Sequence, residues 1–224
     1  MKERLLALLL ICLAALGLAA DADDFGFVPQ RRQLRYVEEF YLLYTQNHMT
    51  DTDSIGRNIQ YLKYALDAPF IHSIQALAEL TTLEQRDQYR KLLIMRITFL
   101  LAQEYVRYGW RFDQEEIVFY NRQFRTELLG SFQYARSCYQ MALQYWQETL
   151  KIARDALQVR LLVRGAVLED IYNEARRILS GDLDYGKTIN FRIRDVDVKT
   201  AKLKALPYPA SSPSASPVLF SSKE

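Results

Sequence analysis

Between Pro69 and Pro207 the chain contains no proline, and its glycines there are Gly109, Gly130, Gly165, Gly181 and Gly186. Proline deletes a helical hydrogen bond and clashes with the preceding turn, and each mid-helix glycine costs about 1 kcal/mol in backbone entropy. A long stretch that lacks the first and is poor in the second is free to be helix. Leu, Ala, Gln, Arg and Glu fill it, with apolar residues returning at a period near 3.6. The fold class expected is therefore all-α.

Local signals set the expected helices. The first spans about 31–46, with Leu34, Val37, Phe40, Tyr41 and Tyr44 on one side, until "MTDTDSIG" breaks it. The second starts near Asp53 or Ser54, turns Ile55, Ile59, Leu62 and Leu66 inward and stops at Pro69. A short third covers 73–80. "TTLEQ" offers two overlapping capping boxes, Thr81 with Glu84 and Thr82 with Gln85, ahead of a helix over 83–108 that Gly109 closes. Asp113 with Glu116 repeats that signature before "EEIVFYN". A helix over 126–163 follows, in which Phe132, Ala135, Tyr139, Ala142, Trp146, Ala153 and Ala156 form a seam at 3–4 spacing. Gly165 interrupts, and a last helix carrying Leu168, Ile171, Tyr172, Ala175, Ile178 and Leu179 ends at Gly181. The sum is about seven helices in antiparallel hairpins.

Two segments read differently. In "KTINFRIRDVDV" the apolar Ile189, Phe191 and Ile193 alternate with polar neighbours, a period of two that predicts a short extended arm over 188–198. From 206 onward "LPYPASSPSASPVLFSSKE" is rich in proline and serine, and a disordered tail, 206–224, is expected.

The first residues, "MKERLLALLLICLAALGLAADADD", join a basic start, an apolar run and small residues at Ala20 and Ala22. That pattern predicts a signal peptide, 1–22, with cleavage after Ala22 and Ala20 as the alternative. Ile11 ahead of Cys12 argues against lipid anchoring, and no membrane span is expected once the signal is removed. The helical domain then runs 23–205. Its net charge stays near +2, without the clustered basic face that nucleic acid requires. Cys138 is its sole cysteine, so no internal disulfide is available, and no N-x-S/T sequon occurs. An exported chain of this size without disulfides fits a bacterial periplasm.

Chemistry is sparse in the sequence. No G-x-S-x-G, phosphate-binding glycine loop or C-x-x-C is present, and the two histidines, His48 and His72, stand apart. Cys138 lies between Ala135 and Ala142, where a buried thiol is expected, and Glu115 with Glu116 reads as helix capping. No catalytic centre, cofactor or metal is expected. Tyrosine, in contrast, occurs 15 times. "YVRYGWRFDQEEIVFYNRQFR" concentrates Tyr105, Tyr108, Trp110, Phe112 and Tyr120 around a helical junction beside Arg122. Aromatic and arginine side chains carry much of the energy of protein interfaces, so these six are the expected partner-binding residues. Ala135, Tyr139, Ala142 and Trp146 are the expected helix-packing residues.

"ARSCYQMALQYW" resembles the second helix of a tetratricopeptide repeat, with Ala135, Tyr139 and Ala142 at the small–aromatic–small positions, and "YLKYALDAP" resembles the end of another, with Ala65 and Pro69. The preceding Trp-Leu-Gly-Tyr pattern is missing, and the spacing of the two matches is not a whole number of repeats of about 34 residues. The resemblance implies a tetratricopeptide-like right-handed array through 54–180. "NIQYLKYALDAPF", "MRITFLLAQEYVRYGWRFDQEEIVFYN" and "ARSCYQMALQYWQE" behind a signal peptide are also similar to helical periplasmic proteins of spirochaetes, some of them associated with the flagellar collar. The function implied is a non-enzymatic periplasmic scaffold or adaptor that binds protein partners in cell-envelope or flagellar assembly. The alternative is a small-molecule or lipid carrier with a helix-lined cavity.

Overall fold

The computed structural model describes residues 34–46, 52–71, 76–114 and 124–205. Among them every regular element is helical: α1 Val37–Gln46, α2 Thr52–Asp67, α3 Leu83–Trp110, α4 Arg125–Ala156, α5 Ala166–Ser180 and α6 Tyr185–Ala205. Two compact units are distinguished, Met1–Leu34 and Arg35–Glu224, and all six helices belong to the second. The boundary falls inside the helical domain expected over 23–205. The expected signal peptide and tail lie outside the described residues, as does most of the junction that contains Asp113 and Glu116.

Caps place the helix starts. At α1, the Glu39 carboxylate reaches back to accept from the Arg35 and Tyr36 N–H groups at 2.8 and 3.2 Å, so the helix begins at Val37 rather than near 31. At α3 the chain uses the second of its two possible boxes. The Gln85 N–H donates to Thr82 Oγ1 and the Thr82 N–H to Gln85 Oε1, at 3.2 and 3.1 Å. The Thr81 N–H and hydroxyl also donate to Gln85, which leaves Glu84 out of the box. Thr82→Ala should lower stability by about 1 kcal/mol, read as a shift of the urea midpoint with an unchanged slope.

The α3–α4 hairpin is the spine. The two helices run antiparallel, and pairs along their length record the register: Tyr105 stacks on Tyr145 at 5.6 Å, Phe99 meets Trp146 at 5.7 Å, and Thr149 Oγ1 donates to Thr98 Oγ1 at 3.0 Å. Ala135, Tyr139, Ala142, Trp146, Ala153 and Ala156 are all buried along the seam, as the 3–4 spacing predicts. The α1–α2 hairpin packs on α3, α5 packs on both α3 and α4, and α6 packs on α4. At 31 residues from Val37 to Asp67, α1–α2 has the size of a tetratricopeptide unit. With 28 and 32 residues, α3 and α4 exceed what a repeat of about 34 residues holds. The arrangement is compatible with a tetratricopeptide-like array at the level of antiparallel hairpins.

Two expectations need correction. Residues 188–198 are not an extended arm; they lie within α6. Beneath the three-residue alternation runs a heptad-like row, Gly186, Ile189, Ile193, Val196 and Leu203, which faces the core while Phe191 is 61% exposed. The helical row buries more apolar surface than an isolated strand could, and every internal backbone group finds a partner. The helix expected over 126–163 stops at Ala156. Gln88 on α3 explains the stop: its Oε1 accepts from the Leu162 N–H at 2.8 Å and its Nε2 donates to the Val159 and Arg160 carbonyls. These bonds replace the helical partners of the segment. Residues 76–80, in the expected short third helix, are also irregular.

Together α5 and α6 act as one rod broken at Gly181, whose φ of 85° is in the left-handed region. Arg96 of α3 pairs with Glu174 of α5, Phe99 meets Tyr185 at 5.7 Å, and the Lys199 ammonium donates to the Asp113 carbonyl at 2.9 Å. The rod therefore climbs parallel to α3 and antiparallel to α4, with Arg136 paired to Asp197 at 2.8 Å.

Candidate functional site: an aromatic platform at the end of the spine

Where α3 ends and α4 begins, three rings converge. Tyr108 and Phe112 meet edge to face at 5.3 Å, Phe112 and Tyr134 at 4.7 Å, and Tyr108 and Tyr134 at 6.0 Å. Tyr108 and Phe112 are half-buried against the core, whereas Tyr134 is 47% exposed. Away from the cluster, Trp110 on the other flank of α3 is 44% exposed with the Arg111 guanidinium 5.6 Å from its ring centre, and Phe124 just before α4 is 50% exposed. Such a cluster offers ring faces to solvent over a fixed base, the arrangement that proteins use to bind apolar or proline-bearing chains.

The base is rigid for a traceable reason. Asp113, buried, accepts the Tyr139 hydroxyl at 2.6 Å, while its carbonyl accepts from Lys199 of α6. Ser131 of α4 donates to the Phe112 carbonyl at 2.7 Å, and Gln114 Nε2 to the Trp110 carbonyl at 2.6 Å. Residues 110–114 are thus tied to α4 and α6, and burial together with the Asp113 bond pushes the Tyr139 phenol well above its usual range. The same device, a phenol on a buried carboxylate, recurs twice. Tyr89 donates to Glu38 at 2.7 Å and Tyr44 to Glu104 at 3.2 Å.

Of the six expected partner-binding residues, Tyr108 and Phe112 lie in this cluster, and Trp110 is exposed on the other flank of α3. Tyr105 is outside it: it is buried and stacked on Tyr145, so it belongs to the hairpin core. Tyr120 and Arg122 lie outside the described residues. Tyr134 was missed. Tyr134 directly precedes seam residue Ala135, so its place off the seam was readable, but its meeting with Phe112 depends on the register of the hairpin.

A second concavity lies between α1, α3 and α5, an open pocket of about 200 Å³ lined by Tyr41, Arg96, Val167, Asp170, Ile171 and Glu174. Arg96 and Glu174 satisfy each other there. Farther along α3, buried Glu104 accepts from Arg107 at 2.6 Å and from Tyr44. Cys138 is buried, and burial pushes its thiol up to about 11, which leaves little thiolate at neutral pH. His48, His72, Glu115 and Glu116 lie outside the described residues. Among the described residues, no three His, Cys, Asp or Glu side chains gather as a metal site, and no helix is long and apolar enough to cross a membrane.

No curated protein and no solved structure matches the chain. One family profile does, over residues 84–206, more than half of the sequence. The match opens one residue into α3 and closes just past α6, so it takes in the spine, the broken rod and the aromatic platform and leaves out the α1–α2 hairpin. The chain belongs to the family described as a domain of unknown function, DUF8513.

Proposed function

We propose that this protein is an exported, non-enzymatic adaptor that holds a protein partner on the Tyr108–Phe112–Tyr134 platform. The setting proposed is the periplasm, in a cell-envelope or flagellar assembly, which follows from the leader-like first residues and the resemblance to spirochaete periplasmic proteins. The observation that carries the binding role is the exposure of Tyr134 beside two anchored rings, Tyr108 and Phe112. Large aromatic side chains left in water at a rigid spot lose little entropy when a partner covers them.

The carrier alternative calls for an enclosed, mostly apolar cavity of about 300–1,000 Å³. The pocket between α1, α3 and α5 holds about 200 Å³, and three of its six lining residues are charged.

A photo-crosslinker placed at Leu129 of the full chain, produced in its native cells, should trap one or a few specific proteins. Tyr134→Ala should reduce capture about tenfold, as the loss of a hot-spot side chain predicts. The side chain is nearly half exposed, so the variant should stay folded by circular dichroism. Capture that survives the substitution in folded protein would refute the platform.

A further inference from the structure

The open pocket between α1, α3 and α5 carries a charge that its own walls do not balance. We propose that it binds a primary alkylammonium group, the head of a lysine side chain or of a free amine. Arg96, in this pocket, precedes Tyr108 by about 18 Å along α3 at 1.5 Å per residue, so the site does not rest on the platform.

Three observations lead to it. The first is charge. Val167, Asp170, Ile171 and Glu174 recur at three- and four-residue spacing, so one stripe of α5 supplies four of the six lining side chains. Two of these are carboxylates, and Arg96 is the one cation among the six, which leaves a net charge of −1. The second is an unused acceptor. Arg96 donates to Glu174 Oε1, whereas Glu174 Oε2 is buried and has no hydrogen-bond partner among the described residues. A buried acceptor without a donor is costly, and the last torsion of a glutamate is broad, so a turn of the carboxylate presents Oε2 to a donor in the pocket.

The third is size and lining. The pocket holds about 200 Å³, below the about 300–1,000 Å³ of sites for drug-sized molecules. The Tyr41 ring and the Val167 and Ile171 side chains give it apolar walls beside the carboxylates. These features select the ligand. An anion would meet a net negative charge, and a neutral apolar group would strip water from charged side chains without replacing its hydrogen bonds. An ammonium brings three donors on a compact charge, and its alkyl stem covers apolar wall while the head stays among acceptors. A guanidinium is wider, and that of Arg96 already lies against Glu174.

The test titrates the full chain with n-butylamine at constant ionic strength and follows the methyl resonances of Val167 and Ile171. Saturable shifts are expected, with a dissociation constant on the order of 1 mM for so small a ligand. n-Butanol, butyrate and sodium chloride should not produce them. Asp170→Asn should weaken binding about threefold, the scale of an exposed ion pair. Val167→Lys should abolish it, because the introduced side chain lays its own ammonium in the pocket. Both positions are exposed, so circular dichroism should be unchanged. Tyr134→Ala should leave butylamine binding as it is. Nα-acetyl-lysine methylamide separates the two sources: binding at least as tight as butylamine assigns the pocket to a lysine of a protein, and weaker binding assigns it to a free amine. No shift at Val167 and Ile171, equal shifts with butanol or sodium, or binding untouched by both substitutions would overturn the proposal.

Discussion

Tyr139→Ala should destabilise the protein by about 3–5 kcal/mol, the range for truncating a large buried aromatic side chain. The ring is fully buried in the α3–α4 seam, and its hydroxyl serves the buried Asp113 carboxylate at 2.6 Å. Truncation opens a cavity and strips a donor from a buried charge in one step. With total stabilities of about 5–15 kcal/mol, this single change brings a domain near its limit. Tyr139→Phe separates the two effects: it keeps the packing and should cost about 1.5–3 kcal/mol through the stranded carboxylate. Adding Asp113→Ala to Tyr139→Phe should then recover part of the loss, which a double-mutant cycle in urea would measure. Fully additive effects of the two substitutions would mean that the hydrogen bond is not what holds residue 113.

The same bond sets a pH dependence. In the folded chain the Tyr139, Tyr89 and Tyr44 phenols are all raised from their ordinary 10.0, first by burial and then by their carboxylate partners. A raised phenol contributes stability that is fully present below the unfolded value, near pH 10, and is lost as pH rises beyond it. Alkaline unfolding should begin above pH 10, with a cooperative rise in phenolate absorbance, and Tyr139→Phe should make that limb shallower.

Gly109→Ala should also be destabilising, by about 1–3 kcal/mol, although an alanine in a helix is ordinarily better than glycine by about 1 kcal/mol. A Cβ at 109 would lie 2.8 Å from Tyr139 Cε1 and 3.1 Å from the Ala135 carbonyl oxygen. Neither can yield, since the ring is buried and pinned and the oxygen is backbone. Gly130 is the control: it sits in α4 with nothing within 4 Å of an added Cβ, so Gly130→Ala should raise stability by up to about 1 kcal/mol. In the Tyr139→Ala background the penalty at 109 should shrink to what the Ala135 carbonyl oxygen imposes. Thermal unfolding of these variants reads the sign directly, and a stabilised Gly109→Ala would contradict the close approach of α3 and α4.

Gly109 also shows where sequence reasoning loses its hold. Read locally, a glycine after a long helical pattern is a terminator, yet α3 continues through it to Trp110. Its role is to let another helix come near, and local pattern carries no record of that. The platform shows the same division. Tyr108 and Phe112 were legible because aromatic residues crowd one short stretch. Tyr105 in that stretch faces Tyr145 in the core, and Tyr134, more than twenty residues downstream, completes the cluster. Which ring faces water depends on helix rotation and hairpin register, and both are settled by long-range packing.

The sequence by itself determined that this chain is helical, where α3 is capped, and that Ala135, Tyr139, Ala142 and Trp146 form a packed seam, because proline content, hydroxyl–amide spacing and apolar period act over a few residues. Tertiary structure alone decided that 188–198 is helix rather than arm, that α4 stops where Gln88 offers its loop other partners, and that Tyr134 joins Phe112. Each of those outcomes turns on surface buried, or on a hydrogen bond made, between residues far apart in the chain, and such energies exist only once the helices have met.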